Sequence, residues 1–237
     1  MSGGTAVPAF DWRSIRLVVF DVDGTLYDQG RLRRRMAVEI ALHCCFARSA
    51  EVIRVLGWHR RLRERLAERE CEDFEVTLLS QTAERTGLTE ARIRKLIAEW
   101  IERRPLRRLT ACRYEKLPAL FAALSASGKI VGALSDYPAA AKLEALGLRA
   151  DHVVWAGDDG VGVMKPHPRG LELLMARANT PPENTVLIGD RIDRDGFAAA
   201  RAGARCLIRS AARPEGWTTF AHYGSALFAP VLAGDWR

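Results

Sequence analysis

Five short runs of apolar, strand-forming residues recur along the chain: LVVF (17–20), KIVGAL (129–134), HVVW (152–155), TVLIG (185–189) and ARCLI (204–208). A strand that is apolar on both faces cannot turn either face to water, so its sheet must be covered twice. Between the runs lie stretches with helical spacing at 117–127, 139–146, 168–178 and 196–202. Strands alternating with helices satisfy that demand with a parallel sheet. The pattern predicts an α/β, Rossmann-like parallel sheet core with helices on both faces.

The alternation breaks once. Leu32, Met36, Ile40 and Cys44 recur every four residues; Val52, Val55, His59, Leu62 and Leu66 follow at three and four; Phe74, Leu78 and Thr82 mark a third face. Ile93, Leu96, Ile97, Trp100 and Ile101 mark a fourth, with Thr89 as N-cap, Gly87 as the stop before it and Pro105 beyond its end. The spacing predicts about four helices within 31–106. The chain therefore divides into core (1–30, first strand and the loop after it), an inserted α-helical cap domain (31–110) and core again (111–237). Residues 31–113 hold 20 Arg and Lys against 12 Asp and Glu, so the whole excess of +7 sits in this insertion. An anion or nucleic-acid binding module is one reading of the Arg-rich cap, from RLRRR (31–35) and HRRLRER (59–65). Acids interleave with the bases and aromatics are not spaced as a stacking platform, which favours a solvated helix face over a nucleic-acid partner.

No apolar run reaches the eighteen or so residues of a membrane span, and residues 1–14 lack a basic stretch followed by an apolar one. Five cysteines, none paired at the spacing of a metal knuckle, fit reduced thiols. The expectation is a cytoplasmic protein with no membrane association. The aromatic tail from 213 to 237, with Trp217, Phe220, Tyr223, Phe228 and Trp236, is expected to pack on the core; the sequence leaves the oligomeric state open.

Ligands of such sheets bind beyond the carboxyl ends of the strands. There the chain places Asp21 and Asp23 after the first strand, Ser135 and Asp136 after the second, Lys165 before a helix, and Asp190 after the fourth, with Asp193 and Asp195 following. Asp193 is expected to be solvated and His167 structural or exposed. Carboxylates gathered at one rim repel unless they share a cation, and Mg²⁺ is the usual hard ion held by a few carboxylates together with phosphate and water. A metal-assisted phosphoryl site follows.

DVDGTLYD (21–28), Ser135 in ALSD, Lys165 in MKPHP and GDRIDRD (189–195) resemble, in order and spacing, the motifs of the haloacid dehalogenase superfamily, and within it the phosphatases with a helical cap after the first core strand. The resemblance implies a Mg²⁺-dependent phosphatase acting on a small phosphorylated metabolite through an aspartyl-phosphate. Asp21 would be the nucleophile and Asp23 the general acid and base. Asp21, the Asp23 backbone carbonyl and Asp190 would hold the metal, with Asp195 acting on that shell or steadying Lys165. Gly24, Thr25, Ser135, Asp136 and Lys165 would surround the phosphate. Many relatives carry Asn where this chain has Asp136, so that acid should be paired or turned away. Dehalogenases do not keep an aspartate at the position of Asp23, and Lys95 is the only cap lysine that could serve a phosphonate-cleaving Schiff base. A sugar phosphomutase is the nearest alternative, because its motifs would look the same.

Overall fold

The computed structural model describes residues 10–234; the expectations for residues 1–9 and for Trp236 lie outside them. The first strand, β1 (Leu17–Asp21), is followed by an all-helical segment: α1 (Gln29–Ala47), α2 (Glu51–Glu68), α3 (Phe74–Thr86) and α4 (Glu90–Ile97). A π-helical turn (Ala98–Arg103), the short α5 (Leu106–Leu109) and a 3₁₀ turn (Thr110–Cys112) lead back. The core resumes with α6 (Leu117–Ala126), β2 (Ile130–Ser135), α7 (Ala140–Leu146), β3 (His152–Trp155), α8 (Arg169–Arg177), β4 (Thr185–Gly189), α9 (Phe197–Arg201), β5 (Arg205–Arg209), β6 (Thr218–Phe220) and α10 (Ala229–Ala233).

All six strands are parallel, in the order β3-β2-β1-β4-β5-β6. Alternate residues serve opposite faces, as a period of two requires. Val18, Phe20, Val186 and Ile188 pack with α6 and the C-terminal tail, while Leu17, Val19 and Leu187 pack with Leu171 and Leu174 of α8 and Ala198 and Ala199 of α9. Both faces are thus covered, and apolar runs of four or five residues are enough to specify them.

Helix α1 starts two residues before the segment assigned to the cap, because Asp28 of the first motif is itself its N-cap and accepts the Arg31 amide. Thr89 caps α4 through the Arg92 amide, and Gly87 closes α3 in the left-handed conformation. An isolated antiparallel bridge between Tyr27 and Arg113 ties the two strands of chain that connect cap and core. Among the described residues no helix is long and apolar enough to cross a membrane.

The tail is part of the core. β6 extends the sheet beside β5, a short polar edge strand that sequence spacing did not single out. Phe220, Tyr223 and Phe228 form a buried triad with ring centroids 4.8 to 5.4 Å apart, and the Trp12 indole donates to the Leu227 carbonyl at 2.7 Å. Trp217 covers Gly196 and faces Phe197, with centroids 6.3 Å apart. Tyr223 also donates to the Thr25 carbonyl at 2.9 Å, so the tail braces the turn after β1. Phe228 is fully buried. Phe228→Ala is expected to lower unfolding free energy by about 3–5 kcal/mol, the usual loss for a deleted core aromatic; denaturant unfolding followed by circular dichroism measures it.

Candidate active site

Register assembles the site. Asp21 at the end of β1 stands opposite Leu134, so Ser135 lies one step further along β2. Phe20 stands opposite Ile188, so Gly189 is level with Asp21 and Asp190 projects just beyond. The strand ends therefore bring residues more than a hundred positions apart to one rim.

At its centre is a buried ammonium. Lys165 Nζ lies 2.5 Å from Asp21 Oδ1 and 2.6 Å from Asp195 Oδ1. The Thr25 hydroxyl donates to Asp21 Oδ2 at 2.9 Å. Asp195 Oδ2 accepts the backbone amides of Asp190 and Arg191 at 3.1 and 3.0 Å, which fixes the loop after β4. Two glycines make the crowding feasible. Gly24 has φ of +100°, and a Cβ there would fall 2.2 Å from Asp190 Oδ2; a Cβ on Gly189 would fall 2.3 Å from the Asp195 side chain.

Asp23 turns to the opposite wall. Lys142 of α7 grips both its oxygens at 2.6 Å, Tyr27 donates to Oδ1, and the Ser135 hydroxyl stands 3.4 Å from Oδ2. Ser135 Oγ also accepts the Tyr137 amide at 3.1 Å. Asp136, the residue whose place near a phosphate was doubtful, points its carboxylate at the Lys165 amide, 3.0 Å away, and so is paired. Asp193 is exposed and bound to Arg191; His167 Nδ1 accepts the Arg169 amide.

Sequence reasoning missed Lys142. A lysine on a short helix reads as solvent-facing, and only the fold shows it 8% exposed against a carboxylate 119 positions away. The cap arginines need a correction as well. Arg31 and Arg34 are solvated, as a charged helix face should be, but Arg63 is buried. Its guanidinium sits between the rings of Phe74, 4.9 Å away, and Tyr137, 3.9 Å away, and donates to the Asp136 carbonyl. Glu64 beside it accepts from Arg194 at 2.7 Å and pairs with Arg191 at 3.2 Å, so one turn of α2 docks on two loops of the rim.

The charges explain how the carboxyls behave. Burial pushes the Asp21 carboxyl well above the ordinary range; Lys165 pulls it back, and Asp195 and Asp190 push it up again. Burial and the Asp195 charge raise Asp190 to about 6. Asp23 differs: burial would raise it, but Lys142, helped by Tyr27, holds it below the usual value. Lys165 is held well above its usual value because Asp195 and Asp21 outweigh the effect of burial. Asp21, Asp190 and Asp195 each present an oxygen within 4.8 Å of the others. A donor set of hard oxygens carrying uncompensated negative charge suits a divalent cation such as Mg²⁺.

Above the rim, the cap closes a cavity of about 380 Å³ that opens onto Asp21, Asp23, Lys142, Lys165 and Asp190. Arg33 of α1 and Arg60 of α2 line it, and neither forms an ion pair with an acid among the described residues.

A family model described as "Hydrolase: haloacid dehalogenase-like hydrolase" matches residues 15–203. The chain is similar to a phosphoglycolate phosphatase of Yersinia pseudotuberculosis, 29% identical over 224 residues that cover 91% of this chain and 86% of that protein. A phosphoglycolate phosphatase of Salmonella typhi is 32% identical over 208 residues, covering 80% and 79%. Among solved structures, a 2-haloacid dehalogenase from Pseudomonas syringae superposes with a TM-score of 0.62 at 18% identity, covering 94% of this chain and all of that one. CbbY from Rhodobacter sphaeroides in complex with phosphate gives 0.60 at 21% identity, covering 89% and 96%. At such identities these two likenesses speak to the fold.

The raised Asp190 pKa has a measurable sign. Its unfolded carboxyl ionises near 3.8, whereas the folded one resists until about 6. Without a cation this group therefore subtracts stability as pH climbs through that window, with the full penalty above it. Metal-free Asp190→Asn should melt above metal-free wild type at about pH 7.5, and the gap should close at about pH 4. Added Mg²⁺ should raise the wild-type midpoint at the higher pH and leave the variant unmoved; calorimetric scans with chelator and with Mg²⁺ read both effects.

Proposed function

Since the chain belongs to the haloacid dehalogenase-like hydrolase family, we propose that it is a Mg²⁺-dependent phosphatase that cleaves a small phosphate monoester through an aspartyl-phosphate on Asp21. The observation that carries this reading is the pinning of Asp21 by Lys165 and Thr25 beside Asp190, with a second carboxyl, Asp23, held separately by Lys142.

Asp21 is oriented by two donors, one on each oxygen, so its lone pairs are aimed before substrate arrives, and attack on phosphorus divides one difficult displacement into two easier ones. Asp21, Asp190 and the Asp23 backbone carbonyl would hold Mg²⁺, which when bound neutralises the crowded carboxylates and draws electron density from the phosphoryl oxygens. Asp195 ties Lys165 through one oxygen to the backbone amides of Asp190 and Arg191 through the other, so it serves as the frame of the site. Lys165 offsets charge on the nucleophile and on the incoming phosphate. Ser135 and the amides of the turn through Gly24 and Thr25 donate to phosphate oxygens, while Asp136 fixes Lys165 through its backbone amide.

Asp23 rests as a carboxylate under the pull of Lys142. An arriving phosphate is a second anion that competes for that ammonium, which raises the proton affinity of Asp23 and lets it protonate the leaving alcohol. After the alcohol departs, the restored carboxylate accepts a proton from the water that attacks the aspartyl-phosphate. The cap excludes bulk water during both steps.

With Mg²⁺ and a panel of phosphate esters, wild-type protein should release inorganic phosphate and Asp21→Asn should lose about 10³-fold or more in kcat. Equal rates in the two proteins would remove Asp21 from the nucleophile's role. Asp23→Asn should lose about 10²–10⁴-fold in kcat/KM, which covers only the steps up to departure of the alcohol, on alkyl phosphates and much less on aryl phosphates, whose leaving groups need no proton; an equal loss of kcat/KM on both would count against the acid role.

A further inference from the structure

The cavity above the carboxylates is much larger than a phosphate requires, and its far wall is hydrocarbon. Leu32, Met36 and Ile40 lie on successive turns of α1, a helix that starts at the catalytic loop and runs away from it. Eight residues at about 1.5 Å each carry this apolar line on the order of 12 Å beyond the first turn. Leu56 of α2 faces it, and the π-helical turn after α4 delivers the neighbouring Trp100 and Ile101 to the same cavity.

Leu32, Met36 and Trp100 are 4 to 7% exposed, so neighbouring helices hold this wall in place before any ligand arrives. Arg33 and Arg60 line the same cavity, and Arg33 feels the pull of Asp23 and Tyr27, which puts its charge near the phosphate end. Gln29 and Glu102 are polar members of the lining, and Glu64 is taken up by Arg191 and Arg194. A two-carbon acid esterified to phosphate would leave the chamber lined by Met36, Ile40, Leu56 and Trp100 unfilled. A sugar would set its hydroxyls against the same hydrocarbon, where each unpaired group is costly.

We propose that the chamber formed by Leu32, Met36, Ile40, Leu56, Trp100 and Ile101 binds the alcohol portion of the substrate, and that this portion is an apolar alkyl or aryl body of several carbons. The inference rests on the phosphatase reading of the carboxylate site and adds the substrate class. The phosphate sits under Lys165 and Lys142, the arginines meet its remaining charge, and the hydrocarbon enters the chamber along α1.

A homologous series of n-alkyl phosphates from ethyl to octyl, assayed with Mg²⁺, tests it. Each methylene that leaves water for the chamber should raise kcat/KM by about two- to four-fold until the chamber is full. Hexyl phosphate should then exceed phosphoglycolate. A flat or falling series, or phosphoglycolate turned over faster than hexyl phosphate, would overturn the inference and leave the phosphatase reading intact. Absence of phosphate release from every ester, with Asp21→Asn equal to wild type, would instead defeat that reading. Calorimetric titration with ethylphosphonate and octylphosphonate decides the chamber without turnover: the octyl compound should bind at least tenfold tighter with a more negative heat-capacity change, and equal affinities would contradict it. Ile40→Glu, at a half-buried position, should cut the hexyl-to-ethyl ratio at least fivefold, and an unchanged ratio would place the alkyl group elsewhere.

Discussion

Three carboxyls held within 4.8 Å of one another inside a protein repel strongly, and the ammonium of Lys165, in contact with two of them, is what allows the cluster to form. The arrangement stays short of neutral. Asp190 and Asp21 both keep raised pKa values, so the folded chain carries an electrostatic debt that a divalent cation would discharge. Strain of this kind is expected where a site is built to bind a cation and an anion together, and it is the sheet's register that imposes it.

The second carboxyl shows the complementary solution. Asp23 is half-buried, and a lysine of its own and a tyrosine hydroxyl hold its pKa below the usual value. Two carboxyls two positions apart on the chain are therefore driven in opposite directions, Asp21 upward by burial and neighbouring acids and Asp23 downward by Lys142 and Tyr27, the pattern expected of groups with distinct chemical roles. The cap shares in this design. Arg63 and Glu64, consecutive on α2, reach respectively the loop after β2 and the loop after β4, so the closed position of the cap and the positions of Asp136, Arg191 and Arg194 depend on one another.

Much of this was legible in the sequence, for physical reasons that differ by element. Buried parallel strands need apolar residues at every position, so VVF and VLI announce themselves locally; the rim acids follow because a strand end is a fixed point. The edge strand β6 did not, since TTF is three residues long and its pairing supplies what its composition lacks. Lys142 and Arg63 were read as exposed or left unremarked, because a buried cation is recognisable only by the carboxylate or aromatic rings that distant segments bring to it. Trp100 and Ile101 were legible as a helix face, but the π-helical turn that carries both has no sequence period of its own, and their place in the cavity lining appears only in the fold.

The central claim is that Asp21, held by Lys165 and Thr25, becomes covalently phosphorylated. Quenching the protein during turnover and reducing it with borohydride converts an aspartyl-phosphate to homoserine, which peptide mass spectrometry locates. The account predicts homoserine at position 21, dependent on both Mg²⁺ and substrate. Homoserine at another position, or turnover with aspartate unaltered at position 21, would contradict it.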